Sequence, residues 1–354
     1  MEHNILIATG GTGGHIFPAI ALMNKLKESG AAVKLTADAK FSRYCFFDEN
    51  HILIPAASFS SKSLKGILLT LVTLMHGFLK ALYCMYKYNP DIVIGFGGYA
   101  TYPMMLAAIL FNKKIILHEA NTVIGKVNRL LLWRAKYLTT GFKSIYGVKP
   151  KYQHKIIYTG NPVRSDVLSS VRLQLKDKIS ILIIGGSQGA KIFSKIIPAM
   201  VINLPAEVKD KLFIYQQVKQ EDIAIIEEIY TKEGIGCEIK SFFTDMNDKL
   251  GKANLVIARS GASTIAELIA VGLPSILIPL PSSADNHQYY NAKEIADMGA
   301  SWLVVEEPNV QSSLLKIVKS VCKDLSLLDK CSSKLKNLQQ DACQNIIEVI
   351  KKLP

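Results

Sequence analysis

Two stretches of this chain follow one plan. Ile5-Leu-Ile-Ala-Thr-Gly-Gly-Thr-Gly-Gly14 and Ile181-Leu-Ile-Ile-Gly-Gly-Ser-Gln-Gly-Ala190 each pass from an apolar, β-branched run into a loop of small residues and then a helical pattern. Strands of this kind are buried on both faces, which requires helices above and below the sheet. Further runs at 33–36, 92–94 and 114–117, and at 212–215, 255–258 and 275–278, alternate with helical patterns in the same way. The expected architecture is therefore α/β, doubly wound and parallel, formed twice. The turn-prone Gly160-Asn-Pro-Val-Arg164 separates the two halves, and after Pro308 the chain reads as helical.

A length of 354 residues is ample for two domains with separate cores. The net charge of +13, with Lys and Arg spread along the chain, favours anionic partners: phosphorylated ligands, acidic lipid or nucleic acid. Only six basic residues are Arg, and two of them, Arg164 and Arg259, lie inside motifs. The six Cys show no metal-like spacing, and the chain enters a strand almost at once, so a reducing, cytosolic compartment is expected.

The loops carry the chemistry. Gly10-Gly-Thr-Gly-Gly-His-Ile-Phe-Pro18 reads as bare backbone N–H groups at the positive end of a helix, with Pro18 in the first turn and His15 as a proton acceptor beside them. Gly95-Phe-Gly-Gly98 and Gly185-Gly-Ser-Gln-Gly189 repeat the glycine pattern at other strand ends. The match of Gly95-Phe-Gly-Gly-Tyr-Ala100 to GxGxxA lacks an acidic partner and is set aside as a dinucleotide signature. His118-Glu-Ala-Asn121 places three polar side chains at another strand end. Arg259-Ser-Gly-Ala-Ser-Thr-Ile-Ala-Glu267 opens a further helix; Thr264 and Glu267 fit a capping box equally well as a ribose site. Asp285-Asn-His-Gln288 has the residue types that bind sugar hydroxyls. There is no GxxxxGK[ST] and no Asp-x-Asp, so neither a P-loop nor a protein-held metal is expected.

Within the segment 58–88, Gly66-Ile-Leu-Leu-Thr-Leu-Val-Thr-Leu-Met-His-Gly-Phe-Leu79 is strongly apolar, flanked by Lys62, Lys65, Lys80 and Lys87. It reads as too short and, with His76, too broken for a membrane-spanning helix. A core helix and a helix lying on an anionic bilayer both fit.

Seven of these motifs occur in an order that resembles the MurG group of glycosyltransferase family 28: those beginning at Gly10, Gly95, His118, Gly160, Gly185, Arg259 and Asp285. The resemblance covers Ile5 to Ala300. It implies a GT-B architecture, with two Rossmann-like domains facing a cleft: 1–161 on the acceptor and membrane side, rejoined by a last helix at 340–354, and 162–339 for the donor. It implies UDP-N-acetylglucosamine as donor and undecaprenyl-pyrophosphoryl-MurNAc-pentapeptide (lipid I) as acceptor, with inversion at the anomeric carbon. No cofactor, metal or nucleic acid is implied, and the expected location is the cytoplasmic face of the bacterial inner membrane. By similarity the donor contacts fall on Thr12, Gly13, Gly14, Asn121, Arg164, Ser187 and Gln288. Phe243, Ala262, Ser263, Thr264 and Glu267 complete the uridine and ribose pocket. Ala120 and the pair Thr101-Tyr102 depart from the common pattern, on the acceptor side. His15 is the expected catalytic base. The competing readings are a diacylglycerol glycosyltransferase, an NAD-dependent dehydrogenase and a non-enzymatic membrane or nucleic-acid binder.

Overall fold

The computed structural model describes residues 3–43, 51–57, 63–169, 179–185 and 191–353. The chain divides into two compact units, Met1–Arg164 with Asp341–Pro354, and Ser165–Gln340.

The first unit runs β1 (Asn4–Ala8), α1 (Gly13–Glu28), β2 (Ala32–Ala37), β3 (His51–Leu53), α2 (Leu64–Tyr88), β4 (Ile92–Gly95), α3 (Tyr102–Leu110), β5 (Lys114–Glu119), α4 (Lys126–Leu131), β6 (Tyr137–Thr140) and β7 (Ile156–Tyr158). The second runs α5 (Ser165–Leu168), β8 (Ile179–Ile184), α6 (Lys191–Ile202), α7 (Ala206–Lys209), β9 (Leu212–Gln217), α8 (Ile223–Lys232), β10 (Gly236–Lys240), α9 (Met246–Lys252), β11 (Leu255–Ala258), α10 (Ala262–Val271), β12 (Ser275–Leu277), α11 (His287–Asp297), β13 (Trp302–Leu303), α12 (Val310–Lys323) and α13 (Ser326–Lys336). The last helix, α14 (Ala342–Lys351), packs on α1 through Ile346, Ile347 and Ile350, and Asn345 Nδ2 donates to Thr159 O at 3.1 Å.

Both sheets are parallel, in the orders β3-β2-β1-β4-β5-β6-β7 and β10-β9-β8-β11-β12-β13. The central strands are apolar along their whole length because helices cover both faces. Ile7, for example, pairs with Leu35 on one side and Ile94 on the other. In each sheet the strand order reverses once, at β1/β4 and at β8/β11. A crevice opens there at the carboxyl ends, and ligands of such sheets bind in it. The loops beginning at Gly10, Gly97 and Ser260 all lie at these two points.

One helix departs from expectation. α2 is 25 residues long and passes by length and composition as able to cross a membrane. It is nevertheless seated on the first unit, by Thr70, Gly77, Ala81, Cys84 and Met85. At Gly77 the seat is so close that a Cβ would meet Pro55 O at 1.9 Å. Its other side leaves Leu64, Leu68, Val72, Met75, Leu79, Tyr83 and Tyr86 exposed, at intervals of three or four residues.

Candidate active site

In the first unit, α1 begins at Gly13 with Thr12 as N-cap, so Pro18 falls in the second turn and not the first. The two glycines bring the helix start forward, and the proline ring then costs only the bond that Gly14 O would accept. Thr12 is exposed, Gly13 buried, and Gly14 and His15 half-buried. Thr9 Oγ1 donates to His15 O at 2.8 Å and fixes the main chain there.

The expectation of a bare phosphate cradle is corrected at this loop. Gly11 N donates to Asp38 Oδ1 at 3.0 Å, and Tyr99 Oη donates to Asp38 Oδ2 at 3.0 Å. A buried carboxylate thus takes one of the loop donors and joins the first glycine loop to the second. Gly10 needs its hydrogen, because at φ +139° a Cβ would stand 2.6 Å from Ala100 Cβ and 2.8 Å from Asp38 Oδ1. The His15 ring lies against Gly98: a Cβ there would meet Cδ2 at 3.2 Å and Nε2 at 3.4 Å. The loops after β1 and β4 therefore meet at the switch point around His15. Arg164 joins them, its guanidinium 4.7 Å from the centre of the Phe17 ring, two residues along α1.

His118 and Glu119 were expected to face a crevice; both are buried and turned inward. His118 Nδ1 lies 3.0 Å from Thr139 Oγ1, and Nε2 lies 3.0 Å from Asn161 Oδ1. Burial, reinforced by the charge of His15 and only partly opposed by Asn161, holds its pKa down to about 4, so the ring is neutral at pH 7. Glu119 accepts from Gly125 N at 2.8 Å and Asn128 Nδ2 at 2.9 Å, which anchors the start of α4. Its other oxygen accepts from Asn121 N at 3.2 Å. Of this motif only Asn121 is half-buried at the carboxyl end of β5. Ala120 and Thr101 are buried, with Thr101 Oγ1 donating to Gly98 O at 3.0 Å; Tyr102 is half-buried.

In the second unit, α10 has Gly261 as its N-cap. Thr264 is thus the third helical residue, which removes the capping-box reading of Thr264 and Glu267. Ala262 is buried; Ser263, Thr264 and Glu267 are half-buried. The start of α11 is stitched to this turn: Ser260 Oγ donates to Gln288 O at 2.8 Å, and Asn291 Nδ2 donates to Ser260 O at 3.2 Å. Gln288 Oε1 accepts from Leu280 N at 3.0 Å, so the NH2 is the end with donors for a ligand. Before α11, Asp285 and Asn286 are both left-handed, at φ 50° and 54°, a conformation that Asp and Asn tolerate best among side-chain residues.

Arg259 is committed to the fold. It donates to Ile278 O at 3.1 Å and Pro279 O at 2.9 Å, and pairs with Glu306 at 2.6 Å. The ring of Phe243 is buried, so this residue meets a ligand only through its main chain; its neighbour Phe242 is 64% exposed at the carboxyl end of β10. Ser187 lies outside the described residues. Among the described residues, no three His, Cys, Asp or Glu gather as a metal site. Asp38 and Phe242 were not singled out from sequence, and Asn161 entered only within Gly160-Asn-Pro-Val-Arg164. Asp38 is 27 positions from Gly11 and belongs to no motif, whereas the adjacent aromatics at 242–243 were a usable signal.

Two parallel α/β units, each with small-residue loops at its switch point and one with a His beside them, are the elements of a GT-B type nucleotide-sugar enzyme. Sequence comparison agrees. The glycosyltransferase family 28 N-terminal domain matches residues 5–140 and the family's C-terminal domain residues 180–346. A protein of Wolbachia pipientis subsp. Culex pipiens is 40% identical over 329 residues, 92% of this chain and 90% of its own. One of Paramagnetospirillum magneticum is 35% identical over 354 residues, 98% and 95% of the two chains. Both are named UDP-N-acetylglucosamine–N-acetylmuramyl-(pentapeptide) pyrophosphoryl-undecaprenol N-acetylglucosamine transferase. The crystal structure of Acinetobacter baumannii MurG superposes with a TM-score of 0.79 at 26% identity, over 99% of this chain and 100% of that one. The chain belongs to glycosyltransferase family 28.

Proposed function

We propose that this protein transfers N-acetylglucosamine from UDP-N-acetylglucosamine to the C4 hydroxyl of MurNAc in undecaprenyl-pyrophosphoryl-MurNAc-pentapeptide, converting lipid I to lipid II. The observation that carries the reading is His15 held against Gly98 at the β1/β4 switch point, in a chain 40% identical to relatives named for this transfer. His15 takes the proton of the acceptor hydroxyl as that oxygen attacks the anomeric carbon. The C1–O bond to UDP breaks on the opposite side, so the α-linked donor gives a β-linked product. The first unit takes the acceptor, since Asp38 already occupies a donor of its glycine loop and repels a phosphate there. The second unit takes the donor. The N–H groups of the first turn of α10 suit the pyrophosphate. Glu267 accepts from the ribose hydroxyls, and Gln288 and the main chain at Phe243 complete the site. Thr12, Gly13, Gly14, Asn121 and Arg164 contact the transferred sugar, with Ser187 as a phosphate ligand.

The acceptor is a lipid, and the chain is suited to reach it as a peripheral protein of the inner membrane's cytoplasmic face. Residues 51–165 hold 15 Lys and Arg but only two acids, Asp91 and the buried Glu119. This stretch accounts for the whole net charge of +13, leaving 27 basic and 27 acidic residues elsewhere. It contains α2, whose exposed apolar ridge lies beside Lys65, Lys80 and Lys87. Because one side of α2 is packed against the protein, the helix lies on a bilayer and does not cross it.

Offering UDP-N-acetylglucosamine with lipid I and, separately, with diacylglycerol, and identifying the product by mass, tests the reading. A β-linked disaccharide on lipid I supports it. An N-acetylglucosaminylated diacylglycerol, with lipid I untouched, overturns it.

A further inference from the structure

The loop 241–245, after β10, rests on a group of six charges. Lys249 is 5% exposed, and its Nζ lies 2.8 Å from Glu238 Oε2, 3.1 Å from Asp245 Oδ2 and 3.5 Å from Asp248 Oδ2. Lys240 pairs with the second oxygen of Glu238 at 2.5 Å, and Lys252 with Asp248 at 2.7 Å. Three ammonium groups thus answer three carboxylates. Burial alone lowers the pKa of the Lys249 ammonium, but its bonds to Glu238 and Asp245 more than offset this and raise it.

The network reaches the loop from three sides. Glu238 belongs to β10, Asp245 is the N-cap of α9, and Asp248 lies in its first turn. The ring of Phe243 sits between Lys240 and Lys249, each 5.8 Å from its centre, and Lys249 is also 5.0 Å from the centre of Tyr215. The loop's start is held by Gln217 Nε2, which donates to Ser241 O at 3.1 Å. With Phe243 drawn inward, the next side chain in the alternation, Phe242, is turned out. The result is a stiff platform at the carboxyl edge of the second sheet, with one exposed aromatic face and a fixed stretch of main chain. A flat heterocycle with hydrogen-bonding edges suits such a surface, through stacking on the ring and backbone readout of its edge.

We infer that Lys249 is a positioning residue for the base of the nucleotide donor, acting through the loop 241–245 and not through contact with the ligand. The inference rests on the reading of the second unit as the donor site. Removing one partner from a buried ion network leaves uncompensated charges that push the loop apart. Binding of the nucleotide should then weaken, while the chemical step at saturating donor is spared.

The test is titration calorimetry with UDP, alongside steady-state kinetics, for the full-length wild type and Lys249→Met. Asp245→Asn, which weakens a single bond of the network, serves if the first variant does not fold. We expect the UDP Kd and the donor KM to rise at least fivefold, kcat to stay within twofold, and the acceptor KM to stay unchanged. Phe242→Ala should add little to the loss in Lys249→Met, since both act on one platform. A lowered Tm with the UDP Kd within twofold of wild type means that Lys249 only stabilises the fold, and overturns the inference. A wild type that binds no UDP overturns the donor reading and the inference with it.

Discussion

The loops after β1 and after β11 start from one plan and end as opposites. Each leaves a buried strand beside a switch point, passes through small residues and opens a helix. In the first, Asp38 accepts from Gly11 N, Tyr99 closes the far side of the same carboxylate, and His15 stands against Gly98. In the second, Ser260 and Asn291 tie the turn to α11, and Arg259 is spent on the carbonyls of Ile278 and Pro279 and on Glu306. One fold motif thus gives a loop with an acid beneath it and a His beside it, and a loop tied by Ser260 and Asn291 to the following helix. The glycine pattern alone does not distinguish them. What the neighbouring strands contribute does.

The largest expected effect breaks the first side of this comparison. His15→Ala should lower kcat by about 10²–10⁴-fold, the ordinary contribution of a positioned base. Initial rates at saturating donor and acceptor check this, and near-normal turnover would remove His15 as the base.

A second effect concerns the buried ring behind the first loop. His118 has a pKa of about 4 when folded, against about 6.5 in an unfolded chain. The unfolded state therefore binds the proton more readily between these values. The stability at stake is fully present above pH 6.5 and is lost progressively as the pH falls from 6.5 to 4. It amounts to about 3 kcal/mol if the ring is the only group titrating there. Urea unfolding at a series of pH values should show the slope in the wild type and a flatter one in His118→Gln. Equal slopes would show that other groups set it.

Gly10→Ala should cost about 1–3 kcal/mol, because it combines an unfavourable φ with contact on Ala100 and Asp38. A shift in the denaturant midpoint measures it. Gly261→Ala, at φ −64° with only Thr264 Oγ1 near at 3.8 Å, should cost much less, and the contrast sharpens the difference between the two loops. The smallest effects lie on α2. Each of Lys65→Glu, Lys80→Glu and Lys87→Glu should weaken binding to vesicles rich in anionic lipid by about 1 kcal/mol, and high salt should act in the same direction. Co-sedimentation with vesicles reads this directly; indifference to all three would detach α2 from the bilayer.

The long apolar strands and the glycine loops were legible because their signal is local. Five strands were not. β3, β7 and β13 have only two or three residues, and β6 and β10 mix polar with apolar residues; their pairing is decided by neighbours far away in sequence. The placement of the loop residues was legible in part: His15 and the turn at 262–264 follow β1 and β11, as their motifs imply, and Gln288 opens α11. The inward roles of His118 and Glu119 were hidden, since a polar side chain at a strand end reads alike whether it meets a ligand or Asn161 and Gly125 N. The capping-box reading failed for a related reason. Gly261 and Thr264 both qualify to begin a helix, and only the return of α11 onto Ser260 selects the earlier one.

The division of labour between the two loops is tested most directly by titrating UDP into wild type, His15→Ala and Glu267→Gln in parallel. UDP should bind His15→Ala with a Kd within twofold of wild type, and Glu267→Gln with a Kd at least tenfold weaker. A UDP affinity that collapses in His15→Ala and survives in Glu267→Gln would place the nucleotide at the first loop and contradict this division of labour.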